Sequence, residues 1–310
     1  MTSVSVIIPC FNAAPTLPLQ LKALAEQVDA PEFEVLVVDN GSTDNVESVV
    51  RAFQVPAGMT VRLLSAPDHQ GAGYARNVGI REAAADLLMF CDADDVVSRW
   101  WLAHALRTFE VADLWSGSCI PLPDPVFSQP LETIRRSFGD SSTWQQPVEE
   151  QGDTAFPVLM GGNFGARRTV MVALGGFDAA APTGGEDNDL GIRAQAVGYP
   201  AVTCKATRIG YRNRPTPAAV HHNAVSAARA HAQLAQRYGL WPRSHFRHWP
   251  TDLLKSVAAH CRQLMQPKAR RHTDATKLRM AVAWTVGSSR VAYRLGRRLP
   301  EPQVGLGLID

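Results

Sequence analysis

Leu87-Leu-Met-Phe-Cys-Asp-Ala-Asp-Asp95 sets five apolar residues directly against three carboxylates. A run so short and so apolar reads as a strand buried on both faces. Carboxylates at the end of such a strand are costly unless a cation neutralises them. Asp92, Asp94 and Asp95 offer hard oxygen ligands that suit Mg²⁺ or Mn²⁺, completed by phosphate oxygens and water. The same residues also read as an acidic cluster ahead of a helix that Ser98 would cap.

Upstream, the chain alternates strand and helix patterns. Val4–Pro9, Glu34–Asp39 and Val61–Ser65 are β-branched or apolar runs. Between them, Thr16–Gln27 carries apolar residues at helical spacing, and Thr43 or Asp44 opens a second helix bearing Val46, Val49, Val50 and Phe53. A third helix is predicted from Gly73 to Ala84. This alternation predicts an α/β fold with a doubly wound, mainly parallel sheet flanked by helices. Ligands of such sheets bind outside the carboxyl ends of the strands. Pro9–Asn12, Asp39–Asp44 and Asp92–Asp95 all stand at such ends and are expected to converge on one crevice.

Three further stretches carry chemistry. In Val37-Val-Asp-Asn-Gly-Ser-Thr-Asp44, Gly41 permits a tight turn, and the amides and carboxylates around it can grip a polar ligand. Asp39 can accept the imide N–H of a uracil-type base. The stretch reads equally as a strand–turn–helix joint with Ser42 and Asp44 capping. In Gly71-Ala-Gly-Tyr-Ala-Arg-Asn-Val-Gly79, a glycine-bearing loop opens a helix, and Arg76 can pair with a diphosphate or with a neighbouring carboxylate. In Gly184-Gly-Glu-Asp-Asn-Asp-Leu190, Glu186 and Asp187 stand at a helix start, as a general base for a hydroxyl or as an acidic first turn.

Taken together, Val4-Ser-Val-Ile-Ile-Pro-Cys-Phe-Asn12, the Asp39 stretch, Ala75-Arg-Asn-Val-Gly-Ile80, Phe90-Cys-Asp-Ala-Asp-Asp95, Gly175-Gly-Phe-Asp178 and Gly185-Glu-Asp-Asn-Asp-Leu190 occur in an order that closely resembles family 2 glycosyltransferases of the GT-A fold. The resemblance covers roughly the first two-thirds of the chain in that order-and-context sense. It implies inverting transfer of a sugar from a nucleotide-diphosphate sugar, UDP-linked by preference, to an acceptor hydroxyl on a glycan, a lipid-linked molecule or a small molecule. Pro9, Phe11, Asn12, Asp39, Asn40, Ser42, Arg76, Asn77, Asp92 and Ala93 would hold the nucleotide-sugar. Asp94, supported by Asp92, would ligate Mn²⁺ or Mg²⁺. Asp187 would be the catalytic base with Glu186 positioning it or the acceptor, and Gly161 and Gly162 would lie near the acceptor. Many GT-A enzymes add a metal-ligating His further on. This chain has Ile209-Gly-Tyr-Arg-Asn-Arg214 there, and His221 and His222 come later, so Asp95, water or phosphate oxygens would complete the site.

Residues 121–157, rich in Pro, Ser, Gln and Asp, read as a long loop or irregular insertion. Beyond residue 212 the pattern turns helical and basic. Residues 1–211 hold 14 Lys and Arg against 25 Asp and Glu, a balance of −11, whereas residues 212–310 hold 17 against 4, a balance of +13. The expected organisation is a catalytic domain over 1–212, with nucleotide-sugar binding in 1–120 and the acceptor side in 155–212, followed by a basic helical extension over 213–310. Within Leu278–Leu299, read as one helix, Arg279, Arg290, Arg294, Arg297 and Arg298 share a face of roughly 100°. That face can lie on an anionic bilayer, or it can be the solvated side of a helix packed on the catalytic domain.

No run of about 18 uncharged apolar residues occurs, so no membrane span is expected. The amino terminus has no basic start and reads as a strand rather than a signal peptide. Cys10, Cys91, Cys119, Cys204 and Cys261 are scattered, which fits a reducing compartment, and Cys10 and Cys91 read as small buried hydrophobes. A cytoplasmic enzyme is expected, peripheral at the inner face of the membrane if the tail meets lipid. Nucleic-acid binding would rest on the tail alone, without stacking aromatics in any known module, and is not expected. Sugar nucleotidyl transfer lacks its Gly-rich, Lys-bearing phosphate loop. A non-catalytic binding module is at odds with the intact Asp92, Asp94, Glu186 and Asp187.

Overall fold

The computed structural model describes residues 2–149, 159–181, 184–213, 216–266 and 273–309. Four strands, β1 (Val4–Cys10), β2 (Phe33–Asp39), β3 (Met59–Ser65) and β4 (Leu87–Cys91), run parallel in the order β3-β2-β1-β4. Helices α1 (Leu17–Ala25), α2 (Val46–Ala52) and α3 (Ala72–Glu82) make the crossovers.

Period-two alternation decides which side chain enters which layer. Val4, Val6 and Ile8 pack with Leu17, Leu21, Leu24 and Trp101 on one face, while Ile7, Leu36 and Val38 pack with Val78, Ile80 and Leu190 on the other. Both faces are therefore covered, as a doubly wound sheet requires.

Beyond β4 the sheet continues as β8-β6-β9-β5, with β5 at Val96–Val97, β6 at Leu114–Pro123, β8 at Asn163–Arg167 and β9 at Val202–Asn213. β6 and β9 are parallel, whereas β8 is antiparallel to both β4 and β6. Helix α4 (Trp101–Phe109) covers one face, and α6 (Arg168–Ala173) and α7 (Glu186–Ala196) cover the other.

The segment expected to be a long loop is more ordered than that. It ends β6, then forms a 3-10 turn at Asp124–Ser128, helix α5 at Leu131–Ser137 and strand β7 at Val148–Glu149, which pairs with β9; residues 150–157 lie outside the described residues. Its polar composition conceals an amphipathic turn: Leu131 and Ile134 are buried, and the buried Arg135 reaches Glu26 at 2.8 Å and the Ala23 carbonyl at 3.0 Å. Ser98 is not the cap of α4, which starts at Trp101.

Three long helices complete the chain, α8 (Pro217–Arg237), α9 (Trp249–Leu264) and α10 (Thr273–Arg294). Pro217 and Pro250 sit in first turns, where a missing N–H costs nothing. The single helix expected over 278–299 stops at Arg294. Gly296, at φ +95°, takes the left-handed turn that ends it, and the Arg297 N–H closes on the Ala292 carbonyl at 2.9 Å. Arg297 and Arg298 therefore leave the arginine face assigned to them. Exposed apolar residues stand among the charged ones there, Trp284 and Val291 on α10 and Leu295 just after it, at 62%, 43% and 82% exposure, beside the exposed Arg279 and Arg294.

After α10 the chain returns to the sheet domain. Val304 bridges Asp178, and the Leu306 carbonyl accepts from Asn77 Nδ2 at 2.9 Å. Among the described residues no helix is long and apolar enough to cross a membrane.

Candidate active site

The loops after β1 and β2 interlock. Ser42 Oγ accepts from the Asn12 N–H at 2.9 Å, Asn12 Oδ1 accepts from the Thr43 N–H at 2.8 Å, and Asp44 Oδ2 accepts from the Ala14 N–H at 2.8 Å. Asp44 thus fastens one loop to the other rather than capping α2, whose boundary residue is Asn45. Asn12 holds a left-handed φ of 51° within this knot. Asp39 Oδ1 accepts from the Ser42 N–H at 2.9 Å. Asn40 is spent on the neighbouring loop: its amide donates to the carbonyls of Ala66 and His69, and its Oδ1 accepts from the Gly71 N–H.

Together with the end of β4 these loops wall a cleft of about 550 Å³. Pro9, Phe11, Asn12, Asn40, Asp92, Ala93 and Asp94 line it, as the strand-end rule requires. The Phe11 ring is 55% exposed and lies against this space, available for stacking. Gly71, from the glycine-bearing loop, lines it too, and so do Thr16 and Gln70, which carried no ligand signal because each is an ordinary turn or cap residue until the loops are folded together.

At the edge of the cleft stands Arg76, 3% exposed, with Nη2 3.0 Å from Asp92 Oδ1 and Nη1 3.2 Å from Glu186 Oε1. The carboxylate-pairing alternative is the one that this structure displays. Burial opposes the Arg76 charge, but Asp92, Glu186 and Asp187 outweigh it and raise its pKa. One guanidinium thus ties the end of β4 to the first turn of α7.

Asp187 follows Glu186 there. Its Oδ2 accepts from the Gly161 N–H at 3.2 Å and its Oδ1 from the Asn188 N–H at 2.7 Å. Burial, then the neighbouring Glu186 charge, raises its pKa; the amides and Arg76 only partly offset them. Next to it, a Cβ built on Gly162 would meet Asp92 Oδ2 at 2.5 Å, so glycine leaves the Asp92 carboxylate its room, and Asp95 Oδ2 lies 3.6 Å from the same point.

Asn77 does not join this site. It is fully buried, donates to the carbonyls of Phe177 and Leu306, and accepts from the Phe177 N–H at 2.8 Å. On α3 it points about 100° away from Arg76, which is the reason that adjacent residues serve opposite sides of the helix.

The aspartate turn is held from two directions. Gln20, fully buried, donates to the Asp92 carbonyl at 3.2 Å and accepts from the Val97 N–H. Arg212 donates its N–H to Asp95 Oδ1 and its Nε–H to the Asp94 carbonyl, both at 2.8 Å. Arg212 stands in the stretch where a His ligand is absent, and it supplies a fixed cation there. His221 and His222 lie exposed near the start of α8. Burial, followed by Asp92 and Asp94, pushes Asp95 well above the usual carboxylate range. Burial and the same three aspartates raise the half-exposed Tyr211 phenol. Cys10 and Cys91, at 1% and 0% exposure, are buried thiols as expected, and burial raises both.

A divalent cation can be tested against this donor set. Asp95 Oδ2 is buried without a hydrogen-bond partner, and Asp92 Oδ2 faces the same gap beside Gly162. Among the described residues no three His, Cys, Asp or Glu side chains form a closed ligand cluster. Hard oxygens in an incomplete set fit Mg²⁺ or Mn²⁺ shared with substrate phosphates, the usual arrangement for these ions.

Residues 5–172, more than half of the chain, match the profile described as Glycosyl transferase family 2. Glycosyltransferase AglE of Haloferax volcanii is 37% identical over 106 residues, 34% of each chain. Validoxylamine A glucosyltransferase of Streptomyces hygroscopicus subsp. limoneus is 32% identical over 232 residues, 63% of this chain and 48% of that one. The aligned segments span about a third to a half of those relatives' own length. Among solved structures, mannosyltransferase PcManGT from Pyrobaculum calidifontis, in complex with GDP-Man and Mn²⁺, superposes with a TM-score of 0.57 at 21% identity, over 96% of this chain and 76% of that one. S. aureus TarS 1–349 in complex with UDP-GlcNAc gives 0.55 at 17% identity, over 96% and 93%. These likenesses bear on the fold alone and agree with the GT-A arrangement. With the strand-end motifs of β1, β2 and β4 at one cleft and the family match spanning most of the sheet domain, the chain belongs to glycosyl transferase family 2.

Proposed function

We propose that the enzyme transfers a sugar, with inversion, from a nucleotide-diphosphate sugar to an acceptor hydroxyl. The observation that carries this reading is the Arg76 bridge, which joins the Asp92 turn on the donor side to Glu186, the neighbour of Asp187, on the acceptor side.

In this reading the base stacks on Phe11 and the Asp39 carboxylate accepts a base N–H, which favours a UDP-sugar. The solved neighbours carry UDP-GlcNAc in one case and GDP-Man in another, so both nucleotides belong in the test. Asp187 takes the proton of the acceptor hydroxyl as its oxygen forms a bond to the anomeric carbon. The bond from that carbon to the diphosphate oxygen breaks on the opposite face, and the nucleoside diphosphate leaves with the electron pair. Arg76 places positive charge beside the leaving group and keeps Glu186 from repelling the Asp187 carboxylate further. Gly161 orients Asp187 through its N–H, and Gly162 leaves the approach open. Asp94, with Asp92, would hold Mn²⁺ or Mg²⁺, which when bound neutralises charge on the diphosphate. The acceptor belongs to the glycan, lipid-linked or small-molecule class, and membrane contact would be made by the exposed Trp284, Val291 and Leu295 with basic residues around them.

The test is a donor screen with Mn²⁺ present, reading hydrolysis and transfer for UDP-, GDP- and dTDP-sugars. One donor is expected to be turned over by the wild type and not by Asp94→Ala, whose melting curve is unchanged. Full activity in Asp94→Ala would remove the metal from the mechanism. Absence of turnover with every donor by folded protein would remove the transfer reading itself.

A further inference from the structure

A second cavity, of about 360 Å³, lies between α8 and α10. It shares no lining residue with the cleft described above. Arg229 and Gln233 reach it from α8, Ser289 and Tyr293 from α10, and Arg297 and Arg298 from the segment that follows. No carboxylate lines it. None of the three guanidiniums forms an ion pair among the described residues.

The three arginines are exposed, so solvent screens their mutual repulsion, and the fold gathers them at one cavity. The left-handed turn at Gly296 does so, turning Arg297 and Arg298 out of the helix and back toward α8. The Pro300 carbonyl then accepts from Arg237 Nη2 at 3.3 Å, which fixes the segment's far end.

An independent observation points to a ligand. Gln233 is 6% exposed, and its Nε2 is buried without a hydrogen-bond partner. A buried amide donor of this kind is an exception that calls for an acceptor. The phenol of Tyr293 is in the same field: burial raises its pKa, while Arg297, Arg229 and Arg237 oppose that rise. The cavity therefore offers guanidinium, amide and hydroxyl donors and a triple positive charge. A tetrahedral oxyanion supplies the matching set of acceptors and the balancing charge.

We propose that this cavity binds a phosphate-class anion, as phosphate, diphosphate or a phosphomonoester, at a site separate from the catalytic cleft. The phosphate can belong to a solute or to a lipid headgroup. The volume holds the anion with part of the group that bears it.

The test uses the full chain and calorimetric titration with sodium diphosphate in the absence of divalent cations and nucleotide, and variants at residues that do not line the catalytic cleft separate the two sites. Arg229→Gln combined with Arg297→Gln is expected to weaken binding about tenfold or more. Gln233→Glu, which sets a carboxylate in the orphan donor's place, is expected to do the same, so the result stands if one variant fails to fold. Circular dichroism melts identify such a variant. Sedimentation with phosphatidylcholine vesicles, with and without phosphatidic acid, separates the sources. Loss of vesicle binding in the same variants assigns the site to a headgroup phosphate, and unchanged vesicle binding assigns it to a solute. Equal diphosphate affinity in wild type and every folded variant overturns the proposal, as does the absence of wild-type binding at millimolar diphosphate.

Discussion

Asp187 shows how one carboxylate is made into a base by its surroundings. Its pKa is raised by burial first and by Glu186 second, while Gly161, Asn188 and Arg76 hold it back. A general base must be deprotonated to act, so activity is lost as the pH falls through the raised pKa of Asp187. The acid limb of kcat/KM should therefore lie at higher pH than an ordinary aspartate would give. Replacing Glu186 by Gln removes the second cause, and the limb should move to lower pH even if the maximum rate drops. Asp187→Asn should lower kcat by about a hundredfold or more while the donor KM stays within a few-fold. A Glu186→Gln profile that keeps its limb, or moves it upward, would show that Glu186 does not set the charge at Asp187.

Asn77 raises the same question at the scale of the element that carries it. It sits inside a stretch read as donor-binding, yet its amide joins α3 to the Phe177 turn and to Leu306 near the end of the chain. Asn77→Leu leaves the Leu306 carbonyl and the Phe177 N–H without their partner, while the Phe177 carbonyl still accepts from the Gly305 N–H at 3.2 Å, and the loss should cost about 2–3 kcal/mol. Urea unfolding reads that loss, and donor KM reads the competing role. A raised KM at unchanged stability would return Asn77 to the binding site. The difficulty is general. Strands β1, β2 and β4 were legible because buried parallel strands are continuous apolar runs, and their ends fixed where the cleft had to be. Asp92, Glu186 and Asp187 were legible as residues and Arg76 as a partner for a carboxylate, but which carboxylates it joins was not, because pairing across distant motifs leaves no local pattern. Helix α5 was hidden in a polar stretch whose three buried residues gain meaning only against Ala23 and Glu26. The end of α10 was missed for a different reason: helical periodicity continues through Gly296, and the left-handed turn there is permitted rather than demanded by glycine.

At the scale of the whole molecule, the opposite charges of the two parts meet at a few buried contacts. Arg237, in the last turn of α8, bonds to Asp178 in the Gly175-Gly-Phe-Asp turn and to Asp189 of α7 at 3.2 Å. Both carboxylates are fully buried, and Asp189 also accepts from the Tyr238 hydroxyl at 2.6 Å and from Arg193 Nε at 2.8 Å. Asp189 lies two residues beyond Asp187, so the basic extension grips the helix that carries the proposed base. Arg237→Met removes the cation and keeps much of the apolar stem, leaving Asp178 with backbone donors alone. Breaking one side of a buried pair costs about 3–5 kcal/mol. If the extension and the sheet domain unfold together, Arg237→Met should move a single urea transition to lower midpoint without changing its slope. If the extension is an independent unit, a second transition should separate from the first in the variant. Activity measured at the same urea concentrations then distinguishes the consequences: loss in step with the extension's transition means that the basic region holds α7 in its working position, and activity that outlasts that transition means that the sheet domain holds it alone.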